Sequence, residues 1–513
     1  MIVGGTNQGG ILLPAAAPWA AWPWDAVDVA ASADVTFAVQ AGTWDDDSPV
    51  LTGKCDSPPC LVETDNADNP VSGRYMRCPA VVRRGVAADE LYAMLLTCDY
   101  ASPYTMRYCL WSSDDAGETW AAVLGGKYLS GGEPTNIALM AADFPDAEGA
   151  SPTSVVAHCL LRNPRPNLVG GKQFLGVFVV TYGAPVSGSR FVFGVSDDLF
   201  SWTFDGIPTV TADGLPSLTY DEDAGLFRMF TRKCSYDGVP SVGVRAVTER
   251  HSADFVTWTT TTDAVVLHGP LPVPEVPEAY ALSATRLGSR WAGVAVMYYP
   301  DPGEGTTNNY LTDNWGAVGW LDKLNLELAV SSDGISWTLP YTVSPFTGGK
   351  LAVPGGGGWR DGSIVYGSGF YEDSAGNWCL MVGGAETDHH TYTSPPDIRT
   401  IRTGRLTWPA YRVVAASLTA AETPGSITLV TRSAFKRRLM LNYDPGATGT
   451  ATIQVTTTGD VELAAAADTV LTDSGDGKDF RVDWSPRFVF PNASVKIIVN
   501  ITGDATVYSL RTE

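Results

Sequence analysis

The sequence predicts an all-β protein: a five-bladed β-propeller followed by a β-sandwich domain. Three observations predict it. Short runs with apolar residues at alternating positions recur along the chain, while few segments sustain a helical period. A turn written Ser-x-Asp, then a short variable stretch, then Trp occurs four times. The composition is rich in turn residues, with 53 Gly and 34 Pro, and only 18 % of residues are charged.

The repeated turn sets the frame. It reads "SDDAGETW" at 113–120, "SDDLFSW" at 196–202, "SADFVTW" at 252–258 and "SSDGISW" at 331–337. The pairs Asp115 and Trp120, Asp198 and Trp202, Asp254 and Trp258, and Asp333 and Trp337 are expected to be structural. A short Asp side chain accepts backbone hydrogen bonds and closes a hairpin. The Trp that follows packs into the seam between neighbouring sheets. The aspartates are spaced by 83, 56 and 79 residues. That is too irregular for a solenoid and suits blades with loops of different length.

The intervening runs supply the strands. "TMRYCLW", "SRFVFGV", "SVGVRAV" and "LNLELAV" lead into the four turns, and "LYAMLLTC", "FLGVFVVTY", "GLFRMFTR" and "WAGVAVMYY" fill the gaps. "GGGGWRDGSIVYGSGFYEDSAGNWCLMVGG" at 355–384 supplies a fifth blade. Residues 1–40 are expected to be an N-terminal extension whose segment "ADVTFAVQ" closes the ring. Residues 41–403 form the propeller. Residues 404–513 form the sandwich, because short strands such as "GSITLVTR", "TATIQVTT" and "SVKIIVNI" follow in quick succession there. This last part has few aromatics and reads as a stabilising domain.

Bulk chemistry excludes several functions. A net charge of −22 argues against a nucleic-acid partner and against anionic membranes. The first residues carry no basic region and no long apolar run, so no transmembrane segment is expected. The reading is of an extracellular or secreted protein whose native signal peptide is absent from this chain. Five of the eight cysteines lie between residues 55 and 109, and Cys55 and Cys60 can close the loop "CDSPPC". One or two disulfides in the first domain are the expectation for an exported chain, with buried free thiols as the alternative. No nucleotide-binding loop, no Gly-x-Ser-x-Gly and no His-Glu-x-x-His occurs.

The order of elements resembles the five-bladed propeller glycosidases, the group that includes fructan, arabinan and xylan hydrolases. The resemblance is carried by "ELAVSSDGISWTLP", by "GWRDGSIVYGSGFYEDSAGNWCLMVGGAETDHH" and by the tail from "GSITLVTR" to "VYSLRTE". It implies a carbohydrate substrate and a pair of carboxyls in the central funnel. It also implies an Asp near the start of blade one as nucleophile or base. Asp68 is preferred over Asp65 because Arg74 and Arg77 follow on the strand entry. An Asp at the start of blade three would orient substrate, which falls on Asp213. A carboxylate at the start of blade four would be the general acid, which falls on Glu278, with Glu275 as the competing choice.

The residues themselves add candidates for sugar binding. Asn136 is expected in the funnel of the second blade. Arg232 and Tyr280 lie on predicted strand ends, and Trp359 and Asp361 open the fifth blade. His389 and His390 end that blade, as two of only five histidines in the chain. No cofactor is required by this chemistry, and a structural calcium ion in the propeller channel is compatible with it. The oligomeric state is left open.

Two other readings stand beside the hydrolase. A non-catalytic carbohydrate-binding or surface protein can use the same fold. "SDDAGETW" also matches the Asp-box of sialidases, and Arg74, Arg77, Arg232 and Arg245 supply arginines for an acidic sugar. The hydrolase requires two facing carboxyls about 5 to 10 Å apart, one of them shielded.

Overall fold

The computed structural model describes residues 20–21, 29–33, 35–40, 42–44, 74–85, 87–99, 105–130, 133–186, 188–204, 214–234, 245–259, 265–267, 278–287, 290–299, 323–339, 350–352, 363–366, 369–385, 401–409, 412–420, 423–430, 439–466, 469–473, 480–484 and 494–512. Apart from one short 3-10 turn at Ala141–Asp143, every regular element among them is a strand. The protein is all-β.

A two-residue strand at Ala20–Ala21, paired with Arg511 and Leu510, comes first, and three short strands follow it: β1 (Val29–Ala33), β2 (Val35–Val39) and β3 (Thr43–Trp44). Five antiparallel meanders follow. The first is β4 (Arg74–Arg83), β5 (Leu91–Asp99), β6 (Thr105–Ser113) and β7 (Ile137–Met140). The second is β8 (Pro152–Arg162), β9 (Phe174–Tyr182), β10 (Gly188–Ser196) and β11 (Trp202–Phe204). The third is β12 (Ser217–Asp221), β13 (Leu226–Cys234), β14 (Arg245–Ser252) and β15 (Val265–Leu267). The fourth is β16 (Glu278–Leu287), β17 (Arg290–Tyr299), β18 (Lys323–Ser331) and β19 (Trp337–Thr338). The fifth is β20 (Ser363–Tyr366), β21 (Trp378–Ala385), β22 (Ile401–Trp408) and, from the other end of the chain, β3; a parallel pair between Leu324 and Ser363 joins it to the fourth in one sheet.

Strand alternation explains how the meanders close into a ring. Successive side chains point to opposite faces, and here both faces are buried. On β9, Leu175, Val177 and Val179 pack with Leu218 and Phe227 of the third meander. Phe174, Phe178 and Val180 of the same strand pack with Met94 and Tyr108 of the first. On β21, Trp378, Leu380 and Val382 face the fourth meander, while Cys379 and Met381 face the first. Phe230 and Val247 join Leu282 and Met297 in the seam between third and fourth. Each seam is thus filled, and the leading strands β4, β8, β12 and β16 touch in succession, with β20 against β4.

The four repeated turns share one geometry. The Asp carboxylate accepts backbone N–H groups just ahead of it: Thr119 N at 2.8 Å for Asp115, and Ser201 N at 2.6 Å for Asp198. Thr257 N stands 2.7 Å from Asp254, and Ser336 N 2.7 Å from Asp333. Burial acts to raise these carboxyls, but the hydrogen bonds outweigh it and hold all four below the ordinary Asp range. The residue after each Asp is left-handed, at φ 56° for Ala116, 65° for Leu199, 66° for Phe255 and 72° for Gly334. That conformation drives Leu199 and Phe255 into the seams. Each Trp indole then donates back to the turn, as Trp202 Nε1 does to Leu199 O at 2.8 Å.

The C-terminal part has two facing sheets. Strands β23 (Val414–Leu418), β24 (Gly425–Val430), β25 (Leu439–Asp444), β26 (Thr450–Thr457), β27 (Glu462–Ala464), β28 (Thr469–Asp473), β29 (Phe480–Trp484), β30 (Val495–Thr502) and β31 (Thr506–Thr512) build them. One sheet runs β2-β23-β31-β25-β29-β28 and the other β1-β24-β30-β26-β27. Ile427, Ile497 and Val499 of one meet Leu439, Leu441 and Val507 of the other. That core is continuous with Trp378 and Trp408 of the fifth meander.

Two expectations change at this junction. The segment Val35–Val39 pairs with β23 in the sandwich. The N-terminal strand on the fifth meander is the shorter Thr43–Trp44, paired with Leu406 and Thr407. The fifth meander also extends to Trp408, so the sandwich begins at Val414 and not at residue 404. The reason is pairing: Ile401–Trp408 completes its ladder on β21 before the chain crosses over. Cys109, Cys159 and Cys379 are buried and packed as small apolar groups, while Cys55 and Cys60 lie outside the described residues.

Candidate functional site

Three candidates, Arg232, Glu278 and Tyr280, meet Arg245 at one place, where β16 begins beside the end of β13 and the start of β14. Glu278 is the first residue of β16 and lies opposite Tyr298 of β17. The ladder then slips: Ala279 pairs with Met297 and Ala281 with Val296, so Tyr280 is an extra, bulged residue. Bulges re-aim side chains at strand ends. Arg232 lies opposite Val247, near the end of β13, and Arg245 opens β14.

Glu278 is buried at 5 % exposure. Arg245 Nη1 donates to Glu278 Oε2 at 2.7 Å, joining the third meander to the fourth. The Arg245 guanidinium lies 4.6 Å from the Tyr298 ring centre and 5.7 Å from that of Tyr280. Arg232 covers the same Tyr280 ring at 4.4 Å, and the two tyrosine rings meet edge to face. Burial pushes the Glu278 carboxyl above the ordinary Glu range; Arg245 and Arg232 oppose that rise without cancelling it. Chemically, this is a shielded carboxyl that keeps its proton to higher pH than a surface Glu. One ring face of Tyr280 is occupied by guanidinium.

The other candidates fall elsewhere. Asn136 does not reach a funnel position in the second meander. It immediately precedes β7, the edge strand of the first, is fully buried, and its Nδ2 donates to Leu110 O at 3.5 Å. Its segment joins two strands of the first sheet and is not the entry to the second. Arg74 and Arg77 lie on β4, with their side chains outside the described residues. Asp68, Asp213, Trp359, Asp361, His389 and His390 also lie outside the described residues. Among the described residues no group of three or more His, Cys, Asp or Glu side chains is placed to hold a metal ion, and no helix is long and apolar enough to cross a membrane.

Tyr298 was not singled out from the sequence. Its signal was present: "WAGVAVMYY" ends an otherwise apolar strand on two tyrosines. Arg245 was seen only as a candidate for an acidic sugar. Its pairing with a carboxyl 33 residues away requires two meanders to be adjacent.

No protein-family model matches the chain. No curated protein matches it either. Among solved structures it is similar to an exo-inulinase from Aspergillus awamori, at 10 % identity and TM-score 0.40, over 91 % of this chain and 99 % of that one. It is similar to a thermostable family-43 glycoside hydrolase at 12 % identity and TM-score 0.39, over 68 % and 92 %. A third is described as belonging to a family of mannoside phosphorylases that contains glycoside hydrolases targeting beta-1,2 mannosidic linkages, at 12 % identity and TM-score 0.43, over 74 % and 94 %. These neighbours are glycoside hydrolases, and likeness at this level carries no argument about this chain's chemistry.

Proposed function

We propose that the protein is a glycoside hydrolase acting on a poly- or oligosaccharide, with Glu278 as the general acid. The observation that carries this reading is the Glu278 carboxyl itself: it opens the leading strand of a meander, is almost wholly shielded, and is raised above the ordinary Glu range by burial. A glycosidase needs such a group to protonate the leaving oxygen, and a second, ionised carboxylate to act as nucleophile or base. Asp68 is proposed for that second role and Asp213 for orienting the substrate, as the resemblance implies. The ligand is then a neutral or acidic carbohydrate bound at the mouth formed by the strand starts.

A second reading has one observation in its favour. The 2.7 Å ion pair between Arg245 and Glu278 bridges two meanders, as a purely structural strut would. A non-catalytic carbohydrate-binding protein would keep such a strut.

A hydrolysis screen on plant, algal and host-type glycans, with Glu278→Gln beside the wild type, separates them. Hydrolysis by wild type that collapses in Glu278→Gln supports the enzyme. Undiminished hydrolysis in the variant removes Glu278 as its acid. Binding on a glycan array without hydrolysis moves the assignment to the binding protein.

A further inference from the structure

The ion pair that joins the third and fourth meanders has a second consequence. A carboxyl can hold a proton at a useful pH only if its position and its electrostatic surroundings are fixed together. Arg245 is built to do both. Its guanidinium reaches Glu278 at 2.7 Å and lies against two tyrosine rings, at 4.6 Å and 5.7 Å from their centres. Its side chain is 22 % exposed against 7 % for Glu278, so the arginine stands on the solvent side of the carboxyl. Its Nε is buried without a hydrogen-bond partner. The fork is therefore committed to the carboxyl at the expense of its own full satisfaction.

We propose that Arg245 is a positioning residue that holds the Glu278 carboxyl at the mouth of the ring and sets the pH at which that carboxyl releases its proton. This rests on the reading of Glu278 as the acid. Among the described residues the charged and titratable groups facing Glu278 are Arg245 of β14, Arg232 of β13, Tyr280 of its own strand and Tyr298 of β17. Arg245 makes the direct contact, so it dominates this set. Removing its charge disfavours the carboxylate, and the proton stays on to higher pH. Lys at this position restores a point charge without the planar fork or the stacking.

The test reads the Glu278 proton directly and through catalysis. Glutamate-labelled wild type, Arg245→Gln and Arg245→Lys are titrated by carbon-13 NMR, with the Glu278 resonance assigned by its loss in Glu278→Gln. The pH–rate profile is recorded on whichever glycan is hydrolysed. The expected result is an upward shift of the Glu278 midpoint in Arg245→Gln, an equal upward shift of the basic limb of the profile, and an intermediate position for Arg245→Lys. An unmoved midpoint overturns the proposal. So does a midpoint that rises while the basic limb stays, since a structural strut alone would give that. If no glycan is hydrolysed, the functional reading fails separately, and the midpoint still decides whether Arg245 governs this carboxyl. If Arg245→Gln does not fold, Arg245→Lys against wild type makes the same comparison.

Discussion

Two buried ion-pair clusters lie at opposite ends of the third and fourth meanders, and they are built differently. At the far end, Arg228 donates through Nε and Nη2 to Asp221, at 3.0 and 2.8 Å, and through Nη1 to Glu249 at 2.9 Å. Arg286 of β16 approaches the same Asp221 at 3.7 Å and also pairs with Asp223, and His251 stands 3.3 Å from Glu249. Arg228, Asp221 and Glu249 are each 5 % exposed or less. At the near end, Glu278 meets Arg245 through one side-chain hydrogen bond, and burial still wins over the charge. The two ends are about 26 Å apart along β16 at the usual strand rise. A cluster whose only task is to hold strands satisfies its arginine on several sides. A carboxyl that one arginine binds through both side chain and backbone, and that burial still raises above the ordinary Glu range, suits proton exchange.

The contrast is sharpened most strongly by Arg228→Met. It leaves Asp221 and Glu249 buried with less compensation and is expected to destabilise by about 3–5 kcal/mol. Urea unfolding measures this, and any activity should persist in the fraction that stays folded. A smaller effect is expected in the turns. Asp254→Ala removes the acceptor for Val256 N and Thr257 N and is expected to cost about 1–3 kcal/mol. A loss near zero would mean that Phe255 and Trp258 hold the left-handed turn by packing alone.

The smallest effect is a pH dependence. The folded pKa of Glu278 is raised above its ordinary 4.5 by burial, so the folded state binds this proton more tightly than the unfolded state. The associated stability is fully present below pH 4.5 and is lost as pH rises through the folded pKa. Unfolding measured across that window should show the decline in wild type and not in Glu278→Gln. A decline of equal size in both would assign it to other groups.

Much of the fold was legible because its signals are local. "FLGVFVVTY" is a continuous apolar, β-branched and aromatic run over the span that became Phe174–Tyr182, and the spacing of Ser, Asp and Trp marks each turn within seven or eight residues. The destinations of β2 and β3 were not legible. Their partners lie more than 350 residues away, and the same short apolar run serves a propeller edge or a sandwich edge equally well. At the site, the place of Glu278 at a strand start was legible because it precedes a strongly patterned strand. Arg245 and Tyr298 were not assigned to it, because their roles come from the contact between meanders. The place of Asn136 was not legible, because a polar residue before a strand looks alike at a sheet edge and at a ring entry.

The most direct test of the central claim compares the specific activity and the unfolding midpoint of Glu278→Gln on one sample. The account predicts that hydrolysis falls by about 10²–10⁴-fold, as for loss of a general acid, while the unfolding midpoint stays close to wild type. A variant that unfolds several degrees earlier, yet hydrolyses normally per folded molecule, would contradict it and make Glu278 a strut like Asp221.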